Sequence, residues 1–173
     1  IITAPAEVIA GSLIEVTWTG PNNSGDYITV VEAQKPDGQY GNYTNTASSA
    51  PLKLLMPIMA GDAELRYMTG QGGRVLARRP IKIVAANVTL SAAESCAAGA
   101  TVTITWIGPN NSGDYITIVE KSKPDNQFGA YTNTSKGSPL NVAAPKQPCD
   151  AEVRYVTGQG GKVLARIPIK VGP

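Results

Sequence analysis

Apolar and polar residues alternate along several short stretches of this chain. Residues 13–19 place Ile14, Val16 and Trp18 on one face and polar residues on the other, and residues 63–69 repeat the alternation. A period of two is typical of half-buried β-strands. Trp18 is the largest of these apolar residues, so we expect it at the centre of a core. Few stretches have helical spacing, and the sequence therefore predicts strands joined by turns.

The first half of the chain contains segments that favour strands, at residues 3–9, 13–19, 27–32, 43–46, 52–56, 63–69 and 74–83. Pro5 and Pro80 lie in the first and last of these segments. Because proline cannot donate a hydrogen bond to a sheet, both predict an edge strand or a bulge. The glycines of residues 70–73 (GQGG) allow a tight hairpin, and no Lys-Ser/Thr pair or helix start follows them, which argues against a phosphate loop.

The sequence consists of two copies of one unit. The stretch GPNNSGDYIT at residues 20–29 returns unchanged at residues 108–117. Residues 16–84 align with residues 104–172 without a gap, and more than half of the aligned positions are identical. A repeat of this kind indicates duplication of a structural unit.

Differences between the copies at apolar positions are mostly exchanges of similar volume, such as Val16 for Ile104, which packed cores tolerate. We predict two domains, residues 1–86 and 87–173. Turn signals recur about every eight to twelve residues, which is typical of β-sandwiches. The predicted fold class is therefore all-β, with two tandem immunoglobulin-like β-sandwiches of about seven strands each, joined closely enough to form a stiff pair.

Composition excludes several functions. The chain has 15 Lys and Arg, 13 Asp and Glu, a net charge of +2 and no histidine. The basic residues are scattered, so we predict no nucleic-acid partner, and no apolar run is long enough to predict membrane insertion. Without histidine, a Ser/His/Asp triad, a Cys/His dyad and a His-based zinc site cannot be built. We predict that the chain is not an enzyme and that it needs no cofactor.

The two cysteines lie in the second unit. Cys96 aligns with Val8 near the first turn, and Cys149 aligns with Gly61 before the sixth strand. These turns lie at the same end of an immunoglobulin-like sandwich, so we predict a structural disulfide. The alternative is two free buried thiols. A disulfide implies an oxidising compartment, namely the periplasm, the cell surface or the outside of the cell.

Three loops are expected to cluster at one end of the first sandwich, at residues 20–26, 47–50 and 69–73. Their amide and carboxylate groups suit sugar hydroxyls or a peptide backbone, and Tyr27 or Tyr43 adds a stacking face. The candidate binding residues are Asn22, Asn23, Asp26, Tyr27 and Gln71, with their equivalents Asn110, Asn111, Asp114, Tyr115 and Gln159.

Two other readings of these loops stay open. Asn, Ser, Gly and Asp are also the residues that form turns through Asx hydrogen bonds, without any ligand. A calcium site around Asp26 and Asn22 is a weaker alternative, because calcium prefers several clustered oxygens and no dense Asp motif is present, so we predict no metal.

Charged residues on the predicted strands suggest a further surface feature. Glu64 and Arg66 share one strand face, and Arg78 lies on a neighbouring strand. Opposite charges on adjacent strands often pair. We predict a cross-strand charge ladder that faces water.

Longer motifs carry a resemblance to a known family. The patterns TWTGPNNSGDYITVV, YGNYTNT and AELRYMTGQGGRVLARRPIKI, with their second copy, resemble the immunoglobulin-like repeats found C-terminal to von Willebrand factor A domains in bacterial cell-envelope proteins. The GDYI, ELRY and VLAxxP elements are the specific part. A fainter similarity extends to SKICH-type sandwiches. The resemblance implies an all-β, non-catalytic accessory module, and it supplies no agreed ligand.

We therefore expect a tandem immunoglobulin-like module of an exported bacterial protein that acts as a spacer or a protein-interaction segment. The alternative is a carbohydrate-binding module that delivers an enzyme or adhesin to a polysaccharide. The expected partner is a protein or glycan at the cell envelope. Because the sequence starts at Ile1 and not at Met, we expect further domains of a parent protein on its N-terminal side.

Overall fold

The computed structural model describes residues 1–48 and 50–173 of the protein. The chain divides into two compact units, Ile1–Ala86 and Asn87–Pro173. Both units are built from β-strands, and the described residues contain no α-helix, which confirms the all-β prediction. No helix in this described part of the chain is long and apolar enough to span a membrane.

In the first unit, the described residues form two sheets. The strands are β1 (Ile2–Thr3), β2 (Glu7–Ile9), β3 (Leu13–Trp18), β4 (Tyr27–Glu32), β5 (Tyr43–Asn45), β6 (Leu52–Leu55), β7 (Gly61–Met68) and β8 (Val75–Val84). A 3₁₀ turn, Thr46–Ser48, follows β5. The smaller sheet has the order β1-β3-β6, and the larger sheet has the order β2-β8-β7-β4-β5. Only the β2–β8 pair is parallel among these described strands.

The second unit repeats this topology strand for strand. Its strands are β9 (Thr89–Ser91), β10 (Ser95–Ala97), β11 (Thr101–Ile107), β12 (Tyr115–Glu120), β13 (Ala130–Asn133), β14 (Leu140–Ala143), β15 (Cys149–Val156) and β16 (Val163–Gly172), with a 3₁₀ turn at Thr134–Lys136. The sheets have the orders β9-β11-β14 and β10-β16-β15-β12-β13. The predicted pair of immunoglobulin-like sandwiches is confirmed.

The first predicted strand differs from the observed structure. Residues 3–9 were expected to form one edge strand, but the chain changes sheets around Pro5. Ile2 pairs with Trp18 in the smaller sheet, and Val8 pairs with Ile83 in the larger sheet. Proline has no N–H for a continuous ladder, so it interrupts the strand at the point where the chain crosses.

Pro80 lies inside β8, which is not an edge strand of its sheet. The parallel partner β2 covers only residues 82–84 of β8, while Pro80 faces Glu64 of β7 on the other side. The missing N–H of Pro80 therefore costs no ladder hydrogen bond to β2.

Each core lies between the two sheets of its unit. Burial alternates along strands of the smaller sheets such as β6 and β11, whereas β4 and β7 of the larger sheet are buried at successive positions. In the first unit the fully buried positions include Val16, Ile28, Leu52, Leu54, Leu65 and Tyr67. The equivalents in the second unit include Ile104, Ile116, Val153 and Tyr155.

Trp18 is not at the centre of the first core, contrary to the prediction. It is the last residue of β3, is only half-buried and packs edge-on against Tyr67, with 5.6 Å between ring centroids. Tyr67 is 1% exposed and takes the central position. A residue at the end of a strand keeps one side towards solvent, whereas Tyr67 lies in the middle of its sheet.

The predicted disulfide is absent, because Cys96 and Cys149 are free thiols. Both cysteines pair with Val171, Cys96 from β10 and Cys149 from β15, so β16 runs between them. Two strand spacings put their Cα atoms roughly 9–10 Å apart. A disulfide needs Cα atoms about 4.4–6.8 Å apart. Both thiols are half-buried against the core, and burial raises the pKa of the Cys149 thiol.

Candidate binding sites

The loop before β4 is held by one buried carboxylate. Asp26 is 2% exposed. Its Oδ2 accepts hydrogen bonds from the N–H of Asn23 at 3.0 Å and from the hydroxyl of Tyr67 at 2.9 Å, and its Oδ1 accepts from the N–H of Gly70 at 2.9 Å. The Tyr67 hydroxyl oxygen accepts in turn from the N–H of Asn22 at 2.9 Å. The loop, strand β7 and the following hairpin therefore meet at this side chain.

These hydrogen bonds decide the protonation of Asp26. Burial by itself would raise the pKa of the carboxyl group, but the donors from Gly70, Tyr67 and Asn23 together outweigh burial and lower the pKa. Hydrogen bonds to a charged acceptor favour the charged form. Asp26 is therefore an ionised structural anchor whose oxygens are used inside the fold.

The second unit contains the same anchor. The carboxylate of Asp114 accepts from the Tyr155 hydroxyl at 2.7 Å, from the N–H of Asn111 at 3.0 Å and from the N–H of Gly158 at 2.9 Å. The Tyr155 hydroxyl oxygen accepts from the N–H of Asn110. Both Asp residues therefore behave as the turn-forming reading of these loops predicts.

Close backbone packing fixes several of the letters that return unchanged in GPNNSGDYIT and GQGG. A Cβ atom at Gly70 would lie 2.5 Å from the carbonyl carbon of Gly25, and one at Gly158 would lie 2.6 Å from that of Gly113. Asn22 adopts a left-handed φ of 53°, which asparagine tolerates better than most residues. The identity of these letters thus records a packing requirement between the loop and the hairpin.

The predicted cluster of three loops is present in the described part of the first unit. Thr46, at the start of the 3₁₀ turn, donates its N–H to the carbonyl of Asp26 at 2.9 Å. Ser49 of the predicted turn at residues 47–50 lies outside the described residues. A cleft of about 520 Å³ opens beside the hairpin, with Asp26 at its floor and a rim formed by Asn23, Ser24, Thr69, Gln71, Arg74 and Leu76.

Three of the candidate residues, Asn23, Asp26 and Gln71, thus share this cleft. Asn23 and Gln71 are exposed at its rim, whereas the equivalent Asn111 and Gln159 are half-buried in the second unit. Within the described residues, no group of His, Cys, Asp or Glu side chains is arranged to hold a metal ion.

Tyr27 belongs to a different surface. It precedes the buried Ile28 on β4 and therefore points away from the core, where it contacts Tyr40 and Tyr43. Ring centroids are 6.1 Å apart for Tyr27 and Tyr40, 5.3 Å for Tyr27 and Tyr43, and 5.8 Å for Tyr40 and Tyr43. Tyr40 is 63% exposed and Tyr43 is 54% exposed. We call these three rings the aromatic triad.

The second unit has an equivalent triad of Tyr115, Phe128 and Tyr131. Phe128 is 56% exposed and Tyr131 is 53% exposed. Sequence reasoning missed Tyr40 and Phe128, because they lie in a loop without strand periodicity. Their alignment in the two copies, as aromatic residues at the same loop position, is a signal that could have found them.

The predicted charge ladder does not face water. Arg66 is 1% exposed because residues 33–42, the loop between β4 and β5, fold over it. Its guanidinium donates to the backbone carbonyls of Lys35 and Pro36, the latter at 2.6 Å, and to the carboxylate of Glu64 at 2.6 Å. A buried arginine needs acceptors for its donors, and the loop carbonyls provide them.

The same arrangement positions the second triad. Arg154 donates to the carbonyls of Lys123 at 2.8 Å and Pro124 at 3.1 Å, and to the carboxylate of Glu152 at 2.9 Å. In the first unit, the hydrogen bond from Arg78 lowers the pKa of the Asp37 carboxyl group. Tyr40 and Phe128 lie in these loops, so each buried arginine holds the loop that carries an exposed ring.

Strand order and register define the chain as a pair of tandem immunoglobulin-like β-sandwiches. Neither known family models nor curated proteins match the chain. Solved structures are similar at 14% identity. The Yersinia pseudotuberculosis adhesin InvE has a TM-score of 0.33, and the match covers 99% of this chain and 59% of that chain. The Escherichia coli adhesin FdeC has a TM-score of 0.36, with 100% of this chain and 64% of that chain covered. The D0-D1 domain of intimin has a TM-score of 0.30, with 100% of this chain and 98% of that chain covered. The chain spans about three fifths of the length of the first two.

Proposed function

We propose that this chain is a non-catalytic module of an exported bacterial surface protein, and that it acts as a spacer whose units each offer an aromatic surface to a protein partner. The observation that carries the proposal is the exposed aromatic triad, which occurs at the same position in both units. Tyr40 is replaced by Phe128 in the second triad, so the ring is retained while the hydroxyl is not.

Exposed rings in a cluster favour interaction over a purely structural role. Contiguous apolar patches on a protein surface often mark binding sites, and tyrosine is enriched where partners bind tightly. A tyrosine also loses little conformational entropy on binding. The loop that carries Tyr40 is already held by Arg66, so little ordering remains to be done when a partner binds.

The spacer role is supported by the way the loops are fixed. The carboxylates of Asp26 and Asp114 connect loop, strand and hairpin at one end of each unit. The resemblance to accessory repeats of envelope proteins supports an extracytoplasmic location and a role beside other domains.

Site-specific photo-crosslinking tests the interaction surface. A photoreactive phenylalanine analogue at position 43 or 131 should give defined protein adducts with an envelope fraction. The matched control is the same analogue at Lys53 or Asn141, exposed positions on the smaller sheets. Adducts of equal yield from both sets of positions, or no adducts from the triads, would contradict the proposed surface.

Glycan binding is the second candidate, and the cleft of about 520 Å³ in the first unit favours it because amide and hydroxyl groups line its rim. A glycan array with the wild type, an Asn23→Ala/Gln71→Ala variant and a Tyr40→Ser/Tyr43→Ser variant distinguishes glycan binding in the cleft from binding at the aromatic triad. Saturable binding that is lost only in the cleft variant supports the glycan module. Asp26 is unsuitable for this test, since its carboxylate stabilises the loop.

A further inference from the structure

The second unit contains an apolar pocket beside the proposed interaction surface, with which it shares Phe128. Its volume is about 420 Å³, within the range of small-molecule sites. It opens between β13 and β14, which are edge strands of the two sheets. The walls include Val119, Phe128, Ala130, Ala143 and Ala144, and Lys123 and Lys146 lie at the opening.

Comparison of the two units explains why this space exists. Ala130, Ala143 and Ala144 align with three larger residues of the first unit, Asn42, Leu55 and Met56. Met56 is completely buried, and the side-chain amide of Asn42 donates to the carbonyl of Leu55 at 3.0 Å. In the first unit these side chains occupy the region between the equivalent strands.

Three neighbouring truncations are unusual in this pair of units. Most other apolar differences keep the side-chain volume, as in the exchange of Val30 for Ile118. Emptying a packed region forfeits dispersion contacts, so it is destabilising unless something else occupies the space. The clustering of the truncations therefore points to an occupant and not to neutral drift.

The charge at the opening indicates the kind of occupant. Lys146 replaces Ile58 of the first unit, and the residues that line the pocket include Lys123 and one acidic residue, Glu120. The unit that has the open pocket has therefore also gained a cation at its opening. An apolar interior with a net positive rim complements a ligand with an aliphatic body and an anionic head.

We propose that the second unit binds a small aliphatic carboxylate in this pocket. The hydrocarbon chain packs between Phe128 and the methyl groups of Ala143 and Ala144, and the carboxylate pairs with Lys146 and Lys123. Phe128 thus belongs both to the pocket wall and to the aromatic triad. The site shares Phe128 with the aromatic triad, but the proposal does not rest on the protein-interaction role.

Titration of the ¹⁵N-labelled full chain with sodium decanoate, followed by amide NMR, tests the proposal. We expect saturable shifts around β13 and β14 and none at the equivalent positions of the first unit, which is the internal control. Neutral decanol should bind more weakly than decanoate, and decyltrimethylammonium most weakly. Shifts of equal size in both units, or no saturable binding of decanoate, would overturn the proposal.

Two variants take their residues from the first unit. Ala143→Leu/Ala144→Met fills the pocket and should weaken decanoate binding by at least about tenfold, because the ligand loses its space. Lys146→Ile changes only an exposed rim residue and should weaken decanoate binding about two- to fivefold while leaving decanol unchanged. If the Ala143→Leu/Ala144→Met variant does not fold, the Lys146→Ile variant still tests the proposed site. Undiminished decanoate binding by Lys146→Ile would contradict the assigned role of the cation.

Discussion

Replacing Asp26 by asparagine tests whether its carboxylate stabilises the loop end of the first unit. The carboxylate accepts three hydrogen bonds, and asparagine offers one oxygen in place of two. In its better orientation the amide oxygen still accepts from Asn23 and Tyr67, but the amide NH₂ then faces the N–H of Gly70. One buried donor loses its acceptor and the other two bonds lose a charged acceptor. Because a bond to a charged group contributes about 1.5–3 kcal/mol, we expect the free energy of unfolding to fall by about 2–4 kcal/mol.

Hydrogen exchange with mass spectrometry of the full chain is the suitable assay, because peptides report on each unit separately. The slowest amides of β7 and β8 measure the stability of the first unit, and those of β15 and β16 measure that of the second. Asp114→Asn is the matched variant. Each substitution should destabilise its own unit only.

A loss below about 0.5 kcal/mol in the first unit on Asp26→Asn, which is within the range of ordinary surface substitutions, would refute the anchoring role. Equal destabilisation of both units by either variant would refute the assignment of one anchor to each unit. Asn23→Ala is the control for the loop. Only the backbone N–H of Asn23 bonds to the carboxylate. The free energy of unfolding of the Asn23→Ala variant should therefore stay within about 0.5 kcal/mol of the wild-type value.

Three further predictions concern the ionisation of Asp26, the packing of Gly70 and the hydrogen bonds of Arg154. The folded pKa of Asp26 is lowered, so its stabilisation is complete above the unfolded pKa of about 3.9 and is lost as pH falls through the lower folded value. Urea unfolding between pH 7 and pH 2 should show this loss, and Asp26→Asn should abolish its contribution. Gly70→Ala puts a Cβ 2.5 Å from Gly25, so thermal unfolding should show a loss of about 1–3 kcal/mol; an unchanged midpoint would contradict the contact. Arg154→Lys removes the guanidinium donors that bond to the carbonyls of Lys123 and Pro124, so amide hydrogen exchange should accelerate in residues 121–130. Unchanged hydrogen exchange there would argue against the role of Arg154.

Local patterns predicted most of the strands. The alternating segments at residues 13–19 and 63–69 became β3 and β7, because the placement of successive side chains on opposite faces is a local property of a strand. The GQGG hairpin also follows from local chemistry, since Gly72 and Gly73 adopt positive φ values of 74° and 58°.

The candidate site was predicted less well. The sequence identified Asp26 as a notable residue but placed its carboxylate on a binding rim, whereas it is buried against Tyr67. Turn-forming and ligand-binding aspartates are flanked in sequence by the same types of residue, so the sequence does not distinguish the two roles. Similarly, alternation places Arg66 on the outer face of β7, but it says nothing of the loop at residues 33–42 that covers this face.

The sequence by itself determined the duplication, which is read from the identity of two segments, and the all-β class and most of the strands, which depend on residues close together in the chain. The tertiary structure alone decided that β16 separates Cys96 from Cys149, that Asp26 meets Tyr67, and that three alanines of the second unit share one pocket. These relationships join residues far apart in the chain, and sheet order and register set the distances between them. Periodicity tells which face of a strand a residue occupies, but only the packed sheets determine what lies against that face.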